Sequence, residues 1–323
     1  MTPLHLRRRQ PTEHVVDDSS VAGANGVDGT RGGDDLGHVT AVVEQGGEKT
    51  GKKTVLVVGG RRPTESVAVV MALASSGHRV VAVEHDPYAA TLRLAELGSL
   101  IPPPGDPRFG RALKTAAEAS GASAVIGSGP EEMQAIAEAE HLLSEIGVAA
   151  WSPCAEVFAL CRDRSSLHTA LDSSGLTVEK TGIGPTEQSG VRGRQFNVDV
   201  VVDNDHDVIA AVSSWRLAGD GDTTMVAETF FDPRLLELIR AICATILIEG
   251  PVVIEGYVSE IGRALLLGVR PGFSAMVPLA RAAGIDVVGL ALDGALGRPM
   301  PTRVLSHRPG VRIIRYLDQV FEG

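Results

Sequence analysis

The first chemically suggestive stretch is Gly59 to Glu65, GGRRPTE, which follows an apolar run and precedes a segment with helical spacing. Glycine-rich backbone at a helix N-terminus can cradle an anion, and Gly59, Gly60 and Arg61 are placed to do so. Glu84 ends the next apolar run, HRVVAVEHD, where an acid can accept a hydrogen bond from a ribose hydroxyl. The spacing G-x-G-x-x-G is absent, so these residues alone favour a tight turn and a solvated strand-end acid over a dinucleotide site. Asp220 and Asp222, in AGDGDTT, read as a solvated Gly-rich turn. Cys154, Cys161 and Cys243 have no metal-ligand spacing and read as buried structural thiols of a reducing cytoplasm, with Cys154 and Cys161 on one helix face.

These residues need elements to hold them. TVLVVGG from Thr54, HRVVAVEHD and ASAVIGSG are continuous apolar runs, as strands buried on both faces of a parallel sheet require. Helical spacing separates them, over Ser66 to Ser76, Ala89 to Leu97, Phe109 to Ser120 and Glu131 to Ile146, and VAAW closes the series. The alternation predicts βαβ units and a Rossmann-like sheet over residues 53–151. Helices over Pro153 to Cys161 and Arg164 to Ser174 follow, the second with Asp163 as N-cap and Gly175 at its C-terminal end, and LTVEKTG reads as a strand.

The pattern then changes. RQFNVDVVVD alternates, NDHD turns, and VIAAVSSWRL pairs back as a hairpin. TMVAETFF is a third strand and Asp232-Pro233 opens a helix. PVVIEGYVSE and RALLLGVRP form another strand pair. Ala264 to Gly284, ALLLGVRPGFSAMVPLARAAG, reads as a buried strand, a Pro-Gly turn and a helix. A helix over Val287 to Leu296 and a YLDQVF helix or strand complete the chain. Residues 194–323 are therefore α+β with an antiparallel sheet, residues 152–193 a helical entry segment and loop, and residues 1–52, rich in Gly and Asp, a disordered tail.

Composition limits the partners. A net charge of −10 argues against nucleic acid, and no apolar run is long enough to span a membrane. The 323 residues can bury a sizeable aliphatic core, 44% hydrophobic but only 4% aromatic. The expected partners are a small molecule or another protein, including a second copy of the chain in a homodimer, in the cytoplasm.

The order of segments resembles the ATP-grasp superfamily, most closely carbamoyl-phosphate-synthase-like carboxylate–amine ligases. Five stretches carry the resemblance: GHRVVAVEHDPYAATLRLAELGS, SPCAEVFALCRDRSSLHTALDSSGLTVEKTG, GRQFNVDVVVDNDHDVIAA, EGPVVIEGYVSEIGRALLLGVRPGFSAMVPLARAAGID and RIIRYLDQVF. The resemblance implies a pre-ATP-grasp parallel sheet followed by a truncated ATP-grasp domain, with ATP and Mg²⁺ as cofactors. It implies ligation through an acyl phosphate, in which charge neutralisation by metal and basic side chains is central.

Within that resemblance the chain departs at the functional positions. The family's lid subdomain is replaced by Ile183 to Gly193, and eleven residues are too few for a lid sheet. Gln195 stands at the hinge acid and Arg164 at a nucleotide-contacting arginine. Glu255 matches a metal ligand, but its partner positions in the family's E-V-N-P-R are Gly268 and Arg270, and Gly272 replaces a phosphate-contacting arginine. These departures imply a degenerate enzyme acting as a ligand-binding or partner subunit. The alternatives are an active ligase whose lid comes from a partner, with Glu255, Asp220 and Asp222 supplying acid, and a metabolite-sensing module built on Gly59, Gly60, Arg61 and Glu84.

Overall fold

The computed structural model describes residues 51–60, 62–176, 193–220, 223–260, 262 and 264–321. Nearly all of the expected tail, the body of the LTVEKTG strand, Arg61 and Asp222 lie outside those residues.

The N-terminal part alternates strand and helix: β1 (Thr54–Val58), α1 (Pro63–Ser75), β2 (Arg79–Glu84), α2 (Thr91–Leu94), β3 (Leu97–Leu100), α3 (Phe109–Ser120), β4 (Ala124–Gly127), α4 (Pro130–Glu138) and α5 (Glu140–Ser144). The four strands pair in parallel in the order β3-β2-β1-β4. Val55 to Val58 are at most 1% exposed, which explains their unbroken apolar run: both faces of the sheet are covered. Because strand order reverses about β1, the turns leaving β1 and β4 lie side by side, each leading into a helix with Pro at its first turn.

Several expected elements change here. The helix expected from Ala89 is a single turn, and LGSL, too short and mixed to announce itself, pairs with β2 as an edge strand. The helix expected over Glu131 to Ile146 breaks at Ala139 into α4 and α5. VAAW contributes only an isolated bridge, Ala149 to Ala124.

Helices α6 (Ala155–Arg162) and α7 (Arg164–Ser173) follow, and Asp163 caps α7 by accepting from Ser165 N at 3.0 Å. Cys154 precedes α6 and is exposed, Cys161 is half-buried and Cys243 is buried, so the first two do not share a core-facing surface.

The rest is one six-stranded antiparallel sheet and its helices: β5 (Gly193–Val202), β6 (Val208–Asp220), β7 (Thr223–Thr229), α8 (Pro233–Ile246), β8 (Gly250–Ser259), β9 (Ala264–Pro271), α9 (Val277–Ala282), α10 (Val287–Ala295) and β10 (Arg312–Ile314), ordered β10-β7-β6-β5-β8-β9. Alternation in QFNVDVVV decides what each face of β5 does. Phe196, Val198, Val200 and Val202 pack with Leu235, Ile239 and Ile242 of α8. On the opposite face Val201 packs with Val212, Phe273 and Val288, in a core shared with α1 and β1. That second core joins the parallel and antiparallel parts. β10 covers only Arg312–Ile314, and residues 315–321 take no regular element, in contrast to the expected YLDQVF helix or strand. Tyr316, Leu317 and Phe321 are exposed there. Among the described residues no helix is long and apolar enough to cross a membrane.

Candidate functional site

The polar residues Gln195, Asn197 and Asp199 alternate with the apolar face of β5 and must point the other way. The register extends this polar face across the sheet. Ser214, Asn197, Glu255 and Gly268 form one cross-strand row, and Val212, Asp199, Val253 and Arg270 form the next. Glu255 and Gly268 are thus direct neighbours, with Arg270 one row away on the same face.

A cleft of about 450 Å³ opens over this face. Its floor includes Gln195, Asn197, Ser214, Glu255 and Arg270. Arg62, Thr64 and Glu65 from the start of α1 and Glu131 from the start of α4 form the opposite wall. Arg216, Thr224 and Arg315 line it too.

Arginine dominates its electrostatics. Arg270, 15% exposed, donates to the Phe273 carbonyl at 3.2 Å, and its Nη2 stands 3.8 Å from Glu255 Oε1. Arg216 donates to Gln195 Oε1 at 3.5 Å and to the Thr223 carbonyl at 3.4 Å, and Arg315 donates to the Thr224 carbonyl at 3.3 Å. Arg62 pairs with the buried Glu65 at 3.4 Å. Beneath them Asp199 is 4% exposed. Burial pushes its carboxyl up to about 6, and hydrogen bonds from Ser274 and the charge of Arg270 oppose the rise. Asn197 Nδ2 also donates to Asp199 at 3.2 Å.

The sequence-derived candidates separate into groups. Gln195, Glu255 and Arg270 meet in the cleft, with Gly268 beside Glu255 in the sheet. Arg164 is exposed at the start of α7 and does not line the cleft. Gly59 and Gly60 lie at the end of β1, where a side chain at Gly59 would run into the Glu84 carboxylate and one at Gly60 into that of Glu132. Glu84 is 3% exposed, which corrects the expectation of a solvated acid. Burial pushes its carboxyl up to about 7; a hydrogen bond from Thr91 at 2.5 Å opposes this, while Glu132 and Asp86 add to it. Both acids occupy the turn that could otherwise approach an anion.

Gly272 has φ +111°, and a Cβ there would sit 2.9 Å from the Gly129 Cα and 3.0 Å from the Ser128 carbonyl. Glycine is therefore demanded by the backbone where β9 leaves the sheet and passes the start of α4. Gly268 is the opposite case, since a Cβ built there meets nothing within 4 Å. Sequence reasoning missed Asp199, Arg216, Arg315 and the Arg62–Glu65 pair. Alternation in β5 gave a signal for Asp199; the others depend on register and on how the two sheets meet.

Solved structures with the same arrangement are biotin carboxylases. The biotin carboxylase–βγ-ATP complex from Campylobacter jejuni is 14% identical with a TM-score of 0.59, covering 78% of this chain and 73% of that one. The biotin carboxylase domain dimer of the Hydrogenobacter thermophilus 2-oxoglutarate carboxylase, solved with MgADP, ADP and bicarbonate, is 13% identical with a TM-score of 0.57, over 81% of this chain and 74% of that one. The fold is the ATP-grasp fold. A complete multifunctional pyruvate carboxylase from Rhizobium etli matches 77% of this chain at 16% identity and a TM-score of 0.58, and the chain spans only 28% of its length. No family model matches the sequence, and no curated protein does.

An ATP-grasp fold raises the question of Mg²⁺, and the residues present do not fit it. A hard divalent ion wants several oxygen ligands. Here one half-exposed carboxylate, Glu255, faces a glycine, and a guanidinium stands within 4 Å of that carboxylate. Two unit charges at about 4 Å interact by about 4 kcal/mol at an effective dielectric of 20. Repulsion from Arg270 therefore opposes the attraction of Glu255 for a cation. Among the described residues no three His, Cys, Asp or Glu side chains converge to hold a metal ion.

Proposed function

We propose that this ATP-grasp-fold protein lacks ligase chemistry and acts as a ligand-binding or partner subunit. The observation that carries the proposal is Arg270, whose guanidinium takes the place beside Glu255 that the resemblance assigns to a metal. Carboxylate activation by ATP depends on neutralising phosphate charge, and losing such groups costs orders of magnitude in rate. The eleven-residue sequence Ile183 to Gly193 gives a second support, because so short a stretch is too few residues for the lid sheet the resemblance implies. The alternative of a metabolite site at Gly59, Gly60 and Glu84 is weakened by the two buried carboxylates over that turn.

The test is ATP turnover by the full chain with Mg²⁺, bicarbonate and a panel of carboxylates and amines. The expected outcome is ADP release no faster than without protein. Mg²⁺-dependent release that disappears in Glu255→Ala would establish ligase-type chemistry and refute the proposal.

A further inference from the structure

Arg270 is poorly satisfied for a guanidinium that is only 15% exposed. It carries five N–H donors in a planar fork. One N–H goes to the Phe273 carbonyl, and the 3.8 Å separation from Glu255 is too long for a hydrogen bond. Among the described residues no carboxylate engages the fork in bidentate fashion, and the buried Asp199 acts on it through its charge. Beside it the floor is open, because a Cβ on Gly268 would touch nothing within 4 Å. The floor beside Arg270 therefore has room for an acceptor brought by a ligand. The cleft brings four arginines (Arg62, Arg216, Arg270 and Arg315) against three glutamates, in a chain whose overall charge is −10. Although Glu65, Glu131, Glu255 and the buried Asp199 balance much of that charge, the cleft gathers guanidinium donors, which suit an anion's oxygens, in an otherwise acidic chain.

We propose that the cleft is a metal-independent anion site for a small molecule bearing a carboxylate or phosphate group. The anion lies over Gly268 and engages the Arg270 fork, and the resident guanidinium supplies the positive charge that a divalent ion would otherwise bring. Arginine suits this role because its planar donors match both carboxylate and phosphate geometry. Asn197 and Ser214, in the same row as Gly268, shape the floor beside the ligand, with Asn197 Nδ2 held by Asp199 and Ser214 Oγ held by the Asn197 carbonyl. Glu255 sets a limit on the ligand, since it repels a second anionic group on its side of the row. This inference rests on the reading of the cleft as a non-ligase site, but it can fail separately.

Calorimetric titration of the full chain with citrate and with pyrophosphate, each with and without Mg²⁺, tests it. At least one probe should bind at a single site, with no gain from Mg²⁺; which one binds distinguishes a carboxylate from a phosphate ligand. Arg270→Met should weaken binding about tenfold or more, the expected cost of losing a charged hydrogen bond. Gly268→Leu fills the floor without changing charge and should weaken binding as strongly, so a folding defect in one variant leaves the other informative. No binding by either probe, binding that requires Mg²⁺, or binding indifferent to both substitutions would overturn the inference. Absence of binding together with absence of ATP turnover would overturn this inference and leave the non-ligase reading standing.

Discussion

The parallel and antiparallel sheets each offer a place where an anion could be held, and the chain closes only one of them. At the carboxyl ends of β1 and β2, the buried Glu84 and Glu132 carboxylates lie against Gly59 and Gly60, and a ligand's negative charge would have to displace them. On the antiparallel sheet the resident group is the cation Arg270, and the space next to it stays open. One crevice is filled with its own carboxyl groups; the other presents a fixed positive charge beside open space. A shared fold thus does not dictate what a site binds. The sign and satisfaction of the side chains at the crevice do so.

Gly272 and Gly268 lie on one strand-and-turn, and they should respond very differently to alanine. Gly272→Ala adds a left-handed-region penalty to a close approach at Gly129 and should cost about 2–4 kcal/mol. Gly268→Ala enters open space and should stay within about 0.5 kcal/mol. Urea midpoints at constant slope measure both. Equal losses would show that β9 is not seated against the start of α4 as described.

Glu84 tests the crevice on the parallel sheet. Its folded pKa, about 7, lies above the ordinary value of 4.5. The folded state therefore holds the proton more tightly, so the associated stability is full below pH 4.5 and is lost as pH rises through 7. Glu84→Gln removes that loss while keeping an acceptor for Thr91. The variant should be more stable than the parent by up to about 3 kcal/mol at alkaline pH, with the gain gone at pH 4. A gain independent of pH would mean that Glu84 is not buried as a proton-holding acid.

Much of this architecture was legible in the residues. Unbroken apolar runs gave β1, β2 and β4, and an alternating segment gave β5, though not the use of its polar face. Asp163 and Asp232 marked the starts of α7 and α8 through their capping side chains. Short or mixed segments were not legible. LGSL becomes a strand only because β2 offers an edge, and Cys154 falls outside its helix because α6 starts at Ala155, two residues later than expected. The substitutions Gly268 and Arg270 could be read as types, but their meaning depended on register. Only pairing places Gly268 opposite Glu255 and brings the Arg270 side chain across to it. The burial of Glu84 and Asp199 could not be read at all, because it arises from what packs on them from distant parts of the chain.

The central claim is that a guanidinium has replaced a metal at this site. Mn²⁺, which reports its bound state by electron paramagnetic resonance, tests that directly on the full chain in the presence of ATP. The account predicts that the protein adds no bound Mn²⁺ beyond what ATP alone holds, in the parent and in Glu255→Ala alike. A stoichiometric protein–Mn²⁺–ATP complex that disappears in Glu255→Ala would contradict it.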